Sequence, residues 1–437
     1  MTQSRNLIQH CRVSFAWLAL VLVGILLFPP AAAMGAQKYD TPAVLNASRI
    51  LPPQLLSGPN HRVQEQVRND GFINTYTVDS KFGQFTAIST AVLRKRVHEI
   101  NALAVMEKIQ GTKEYSKSIK EAGQDTLTGI KNIVTKPVDT VKGAASGLGA
   151  AFRRAGDAIS GPKRSESEDS RVKDLIGFSK TKREYAYQLG VDVYTDNKVL
   201  QDRLDEIAWA GYAGGLTWAA AMMAVPGGAG VAISVSGTHH LLNEIFRTTP
   251  PPDLRRMNLE KLLKMGVASE VADLFINNTV YSPRQQTLLV NALEQMTGVT
   301  NRSAFVSFAA LSDSQGLAFF RQRQADMYEG YHKKVERLAS FVSVGGLAGG
   351  RTSNGAVVFN VPLDRLMWTE NMALFLTKAN HLVNGLSGVS QKQLWVEGTV
   401  STLARLEVER LGWQLHEKSE ALLLSESGES YPKYETP

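Results

Sequence analysis

The spacing of apolar and polar residues divides the chain into stretches with different periods. Between residues 62 and 88, runs rich in β-branched and aromatic residues are separated by Asn69-Asp70-Gly71 and Asp79-Ser80-Lys81, both turn-forming. The spacing predicts a three-stranded antiparallel meander over 62–68, 72–78 and 83–88. Phe72, Asn74, Tyr76 and Val78 fall on one face and Ile73, Thr75 and Thr77 on the other. Ser89 or Thr90 then caps a helix whose apolar positions are Leu93, Val97, Ile100, Leu103 (or Ala104) and Met106. Arg94, Lys95 and Arg96 stand together at its start and read as a solvated face.

From residue 171 the period is helical. A polar stretch, 197–206 (NKVLQDRLDE), leads into 207–237, which contains no charged residue. The run TTPPPD at 248–253 is a rigid break. From 254 to about 336 the pattern predicts four amphipathic helices, one of them opened by Ser282 as cap and Pro283 at its first position. After Ala339 the pattern changes to strand. SFVSVGG and GAVVFNV flank Ser353-Asn354-Gly355, and Asn-Gly is a strong hairpin signal. Helix returns over 364–382, a strand follows at 393–399, Ser401 caps TLARLEVERL, Gly412 stops it, and WQLHE reads as a further strand, a βαβ-like unit.

The predicted fold class is a predominantly helical α+β protein. It has an N-terminal antiparallel β-meander, a central helical domain with a small-residue helical hairpin, and a C-terminal α+β subdomain. The expected divisions are a signal peptide at 1–36, a linker at 37–60, meander plus helix at 61–111, and a repeat segment at 112–170. A helical domain at 171–337, the α+β subdomain at 338–418 and a polar tail at 419–437 follow.

The uncharged stretch has two readings. Residues 207–225 are numerous enough to span a bilayer, yet only Ile207, Leu216 and Val225 are strongly inserting, and most of the rest are Gly and Ala. The small residues are ordered: Gly211, Gly215 and Ala219 recur every four positions, and so do Gly228, Ala232 and Ser236. Such rows let helix backbones approach closely. They predict a helical hairpin turning at Pro226-Gly227-Gly228, either the buried centre of a helical domain or a membrane-inserting unit.

Residues 112–162 carry a different period. Ile119, Ile130, Val141 and Phe152 stand 11 residues apart, each followed by a basic residue: Lys120, Lys131, Lys142 and Arg153. An 11-residue period keeps a narrow apolar stripe on one side of a helix, and basic residues beside it suit a lipid surface. Over these four repeats alone the segment resembles the 11-residue lipid-surface repeats of synucleins and perilipins. The resemblance implies a helix formed on lipid. Its glycines and Pro137 oppose that helix in water, so a disordered linker and a docked helix stay open as readings.

Composition narrows the setting. Arg5 and Arg12 precede an apolar run at 13–28, and small residues at 31–35 offer a cleavage site, the design of a secretory signal peptide. The one cysteine, Cys11, lies in that segment, so thiol catalysis and thiolate metal sites are not expected in an exported chain. A formal net charge of +7 is mildly basic. It suits anionic lipid better than nucleic acid, whose readers carry denser basic patches.

Catalytic motifs are scarce. The 345–352 run (GGLAGGRT) imitates a phosphate loop, but Arg351 stands in place of the needed lysine and a strand follows instead of a helix. A glycine-rich bent hairpin explains it better, and no nucleotide is expected. His239, His240 and Glu244 form the best polar cluster, with His240 and Glu244 on one helix face, but a third metal ligand is not visible. No cofactor is expected. The expected function is that of an exported bacterial cell-envelope protein, periplasmic or membrane-associated, whose partners are a membrane lipid surface or envelope proteins. Two alternatives remain: a periplasmic enzyme with a dispersed site near His239, His240 and Glu244, and a secreted membrane-permeabilising protein.

Overall fold

The computed structural model of the chain describes residues 39–42, 44–122, 164–169, 177–225, 239–345 and 347–424. The protein is α+β and mostly helical, with an N-terminal antiparallel sheet and a later mixed sheet. The expected signal peptide, most of the 11-residue repeats and most of the polar tail lie outside the described residues.

The first sheet contains β1 (Val44–Asn46), β2 (Ser57–Gly58), β3 (His61–Val63), β4 (Gln66–Asn69), β5 (Asn74–Ser80) and β6 (Gly83–Ile88). β6 folds back on β5 in unbroken antiparallel register from Ser80–Gly83 to Thr75–Ile88. Along the other edge of β5, β3 and β4 act as one interrupted strand. The pairs Val63–Val78 and Arg68–Thr75 show more residues on the β3–β4 side than opposite, a bulge at Gln64-Glu65. The expected meander is therefore present, with its first strand bulged. The turn before β5 is held by side chains: the Gly71 amide donates to Asn69 Oδ1 (2.8 Å), and the Ile73 amide to Asp70 Oδ1 (2.7 Å).

Helix α1 (Thr90–Gln110) lies on this sheet. Ser89 caps it, its hydroxyl accepting the Val92 N–H at 3.1 Å. Leu93, Val97, Ile100, Leu103 and Met106 are buried, as their spacing predicts. The basic triplet is not a solvated face. Arg96 is buried against Glu99 and Asp196, Lys95 pairs with Asp192, and Arg94 pairs with Glu420. Apart from Glu99, one turn along α1, their acidic partners are far away in sequence, which local charge patterning does not reveal.

The central helices are α2 (Lys113–Ala122), α3 (Phe178–Gln188), α4 (Lys198–Tyr212), α5 (Trp218–Met223) and α6 (His239–Thr248). They continue as α7 (Pro251–Lys264), α8 (Ser269–Ile276), α9 (Pro283–Gln295), α10 (Arg302–Ala310) and α11 (Gln315–Lys334). Helix α10 is one more than the four amphipathic helices predicted for its region. Ser282 and Gln285 form a full capping box on α9. The stretch from Ile207 is not one long helix: α4 ends at Tyr212 and α5 begins at Trp218. Among the described residues no helix is long and apolar enough to cross a membrane.

The second sheet has the order β13 (Gln414–His416), β11 (Gln391–Val396), β9 (Ala356–Val361), β8 (Leu347–Thr352), β7 (Leu338–Val344). Antiparallel β7 (Leu338–Val344) and β8 (Leu347–Thr352) lead into β9 (Ala356–Val361). Residues 347–352 are a strand that the sequence pattern did not distinguish from a loop. Ser353-Asn354-Gly355 thus joins β8 to β9. A short strand, β10 (Arg365–Leu366), precedes α12 (Glu370–Asn384) and β11 (Gln391–Val396), which is parallel to β9. After β12 (Thr399–Val400), α13 (Thr402–Arg410) crosses to β13 (Gln414–His416), parallel to β11. One face of the sheet packs Phe359, Leu394 and Val396 with Leu376 of α12 and Val408 of α13. The other packs Phe341, Val358 and Trp395 with Tyr328 and Tyr331 of α11. Burial on both faces explains why four apolar residues run together at the start of AVVFNV. One hydrophobic core therefore crosses the expected boundary at 337/338.

Candidate functional site at the central cleft

The N-terminal sheet, the central helices and the second sheet meet around a cavity of about 530 Å³. Its wall combines Lys95 and Arg96 of α1, Asp192 and Asp196 from the α3–α4 connection, Arg323 of α11, and Asp364 and Glu397 from the segments that follow β9 and β11. Size and position at a junction make it the default binding site of such a fold.

Each of these charges is engaged within the chain. Arg96 Nη1 lies 2.6 Å from Glu99 Oε2 and Nη2 lies 3.0 Å from Asp196 Oδ1. Glu99, fully buried, also accepts from Thr195 Oγ1 (2.5 Å) and Asn197 Nδ2 (3.0 Å). Asn197 in turn caps α4, so one buried carboxylate ties α1 to the start of α4. Lys95 Nζ reaches Asp192 Oδ2 at 3.0 Å. Arg323 grips Glu397 bidentately, Nε to Oε2 at 2.7 Å and Nη2 to Oε1 at 2.6 Å, and also meets Glu420 at 3.2 Å.

Asp364 holds the two sheets together. Its oxygens accept the Asn74 N–H (2.8 Å) and the Thr90 N–H (2.9 Å). Burial raises its pKa from the ordinary carboxylate value, while these amides and the Thr90 hydroxyl oppose the rise. Asp196 is displaced the other way: burial raises its pKa, but Lys95 and Arg96 together outweigh this and hold it low.

The residues singled out in the sequence lie elsewhere. Gly211 does sit at a helix contact, where an added Cβ would come 2.7 Å from the Tyr185 ring. Gly215 does not: nothing lies within 4 Å of its added Cβ, and its φ of +69° belongs to the turn after α4. The close approach belongs to Gly214, whose added Cβ would lie 2.0 Å from the Ser118 carbonyl oxygen of α2. Ala219 is exposed. Gly228, Ala232 and Ser236 lie outside the described residues, and the hairpin drawn across 207–237 is not the arrangement of its first half.

Of the 11-residue repeats, Ile119 packs with Phe178, Ala208 and Trp209 as part of the docked helix α2, with Lys120 beside it. Ile130, Val141, Phe152, Lys131, Lys142 and Arg153 lie outside the described residues. The side chains of His239 and His240 do as well. Glu244 is held by Arg247, whose Nε donates to Oε2 at 2.8 Å and which also binds Glu184. Among the described residues no cluster of three metal-ligating side chains occurs.

Comparison of the chain with models of known protein families, with curated proteins and with solved structures gave no match.

Proposed function

We propose that this is an exported cell-envelope protein that acts by binding, with a membrane lipid surface or envelope proteins as its partners. The observation that supports a binding role is the state of the central cleft. Its charged residues are paired with one another or hold backbone amides that join separate parts of the fold. Charges used this way fix a scaffold. A general acid or base would instead need to face the cavity with a free lone pair or proton. Export rests on the basic, apolar and small-residue order of the first 36 residues. Attachment to lipid rests on the basic flank of the 11-residue stripe. Nucleic acid and nucleotides have no place in this reading.

Cell fractionation tests it. The protein is expected in the envelope or periplasmic fraction, beginning between Met34 and Gln37, and released from membranes by salt or carbonate without detergent. Recovery from the cytosol with an intact N-terminus would overturn export, and release by detergent alone would overturn peripheral attachment.

A further inference from the structure

The second sheet is split. β8 and β9 pair only at Gly350–Val358 and Arg351–Val357, and toward Leu347 and Val361 the pairing stops. Helix α11 takes over the edges that separate. The Tyr328 hydroxyl lies 3.0 Å from the Ala348 carbonyl oxygen and 3.2 Å from that of Val358, bridging the two strands where they part. Gln324 Nε2 donates to the Asn360 carbonyl at 2.8 Å. Three of the carbonyls along the parting edges are thus met by side chains of α11.

It opens into a cavity of about 340 Å³ lined by Phe320, Leu347, Phe359, Met372, Leu376 and Leu394. That volume is within the range of about 300–1,000 Å³ usual for small-molecule sites. Phe375 lines it and is 44% exposed, so the cavity reaches the surface. The lining contains one charged group, Arg321. Its guanidinium carbon stands 3.5 Å from the centre of the Phe308 ring, and Nη1 donates to Gln324 Oε1 at 3.1 Å. Its Nε is buried and has no hydrogen-bond partner among the described residues. The ionisable neighbours acting on it are Tyr281 and Tyr328 rather than a carboxylate. A cation in an apolar slot without an internal anion calls for an anion from outside.

We infer that the split between β8 and β9 binds one single-chain amphiphilic anion, its hydrocarbon chain in the slot and its head group on Arg321. This goes beyond the proposed function and does not depend on where the protein resides.

Displacement of a fluorescent polyene fatty acid from the delipidated full chain tests the inference. Hexadecanoate is expected to bind at least about tenfold more tightly than hexadecanol or hexadecyltrimethylammonium, the step expected of one charge-assisted contact. Arg321→Gln should abolish that preference and leave hexadecanol binding unchanged. Leu376→Trp, which fills the slot, should weaken every ligand. Lysophosphatidylglycerol binding more tightly than hexadecanoate would identify a membrane lipid as the source, and the reverse order a free carboxylate. If Arg321→Gln does not fold, the order of affinities in the unmodified protein decides alone. No displacement by any anion, or equal affinity for anion and cation, overturns the inference.

Discussion

Arg321 and Arg323 stand two positions apart on α11, so the helix sends them to different sides. The chain treats the two charges in opposite ways. Arg323 faces the central cleft and is held by both oxygens of Glu397 and by Glu420. Arg321 faces the slot in the sheet and meets an aromatic ring and an amide. A buried charge must be compensated. Where the fold supplies the partner, the charge is part of the structure. Where it supplies a ring and an amide but no anion, the charge is available to a ligand. The two cavities share Leu317 and Phe320 in their walls, so the contrast comes from a few side chains and not from two architectures.

The most damaging change to this arrangement is to remove a partner in the cleft. Glu397→Gln strands a guanidinium whose side chain is only 6% exposed. Losing one partner of a buried pair costs about 3–5 kcal/mol, and the remaining Glu420 should hold the loss near the lower end. Urea denaturation measures it. A loss below about 1 kcal/mol would mean that the cleft charges are not tightly closed.

Acid probes α1, the helix that gives Lys95 and Arg96 to the cleft, through His98. His98 is 2% exposed, and its Nε2 bonds the Gly190 carbonyl at 2.9 Å. Burial, only partly offset by hydrogen bonds to Gly190 and Leu189, lowers its pKa from 6.5 to about 4. The unfolded chain therefore takes up a proton that the folded chain refuses. Stability from this group is complete above about 6.5 and is lost as pH falls toward about 4, roughly 3 kcal/mol in all. His98→Gln should flatten that part of a stability–pH curve. An unchanged slope would show that His98 takes up its proton equally in both states.

What the sequence revealed was local. The meander, the capped α1 and the Ser282 cap with Pro283 behind it depend on residues within a few positions of one another, and all are present. The βαβ crossover through Ser401 and Gly412 was legible for the same reason. The row Gly211, Gly215, Ala219 misled because equal spacing implies one face only while the helix continues, and it stops at Tyr212. Strand β8 was hidden because LAGGRT has little strand character, its place being set by neighbours across the sheet. Neither cavity was legible. Arg96 and Asp196 are 100 residues apart, and Arg323 and Glu397 are 74 apart. Partner choice over such distances follows from tertiary packing, which the basic triplet at Arg94 does not disclose.

On the slot side, Tyr328→Phe removes the hydroxyl that bridges β8 and β9. The ring should keep its place beside Phe305 and Phe341, with which it packs edge-on. The buried carbonyls of Ala348 and Val358 lose the one hydroxyl proton they share, which costs about 1–3 kcal/mol. Hydrogen exchange localises the effect: amides near Ala348 and Asn360 should exchange faster while those of the cleft helix α1 stay protected. Uniform acceleration would mean that the split is not a separate feature of the sheet.

The smallest expected effect is the most discriminating. Arg321→Met keeps much of the side-chain volume and removes the charge. It forfeits the contact with Phe308 and the hydrogen bond to Gln324, together about 1 kcal/mol. It also removes the cost of holding a guanidinium in apolar surroundings, a cost visible in the lowering of its pKa to about 10. The two nearly cancel, so urea denaturation of ligand-free protein should place Arg321→Met within about 1 kcal/mol of the unmodified chain. Glu397→Gln and Arg321→Met then bracket the comparison, one exposing a charge that the fold needs paired and the other deleting a charge that the fold leaves unpaired. A loss of about 3 kcal/mol or more for Arg321→Met would mean that the guanidinium already has an anionic partner inside the chain. The distinction between the two arginines would then fail, and with it the case for a ligand in the slot.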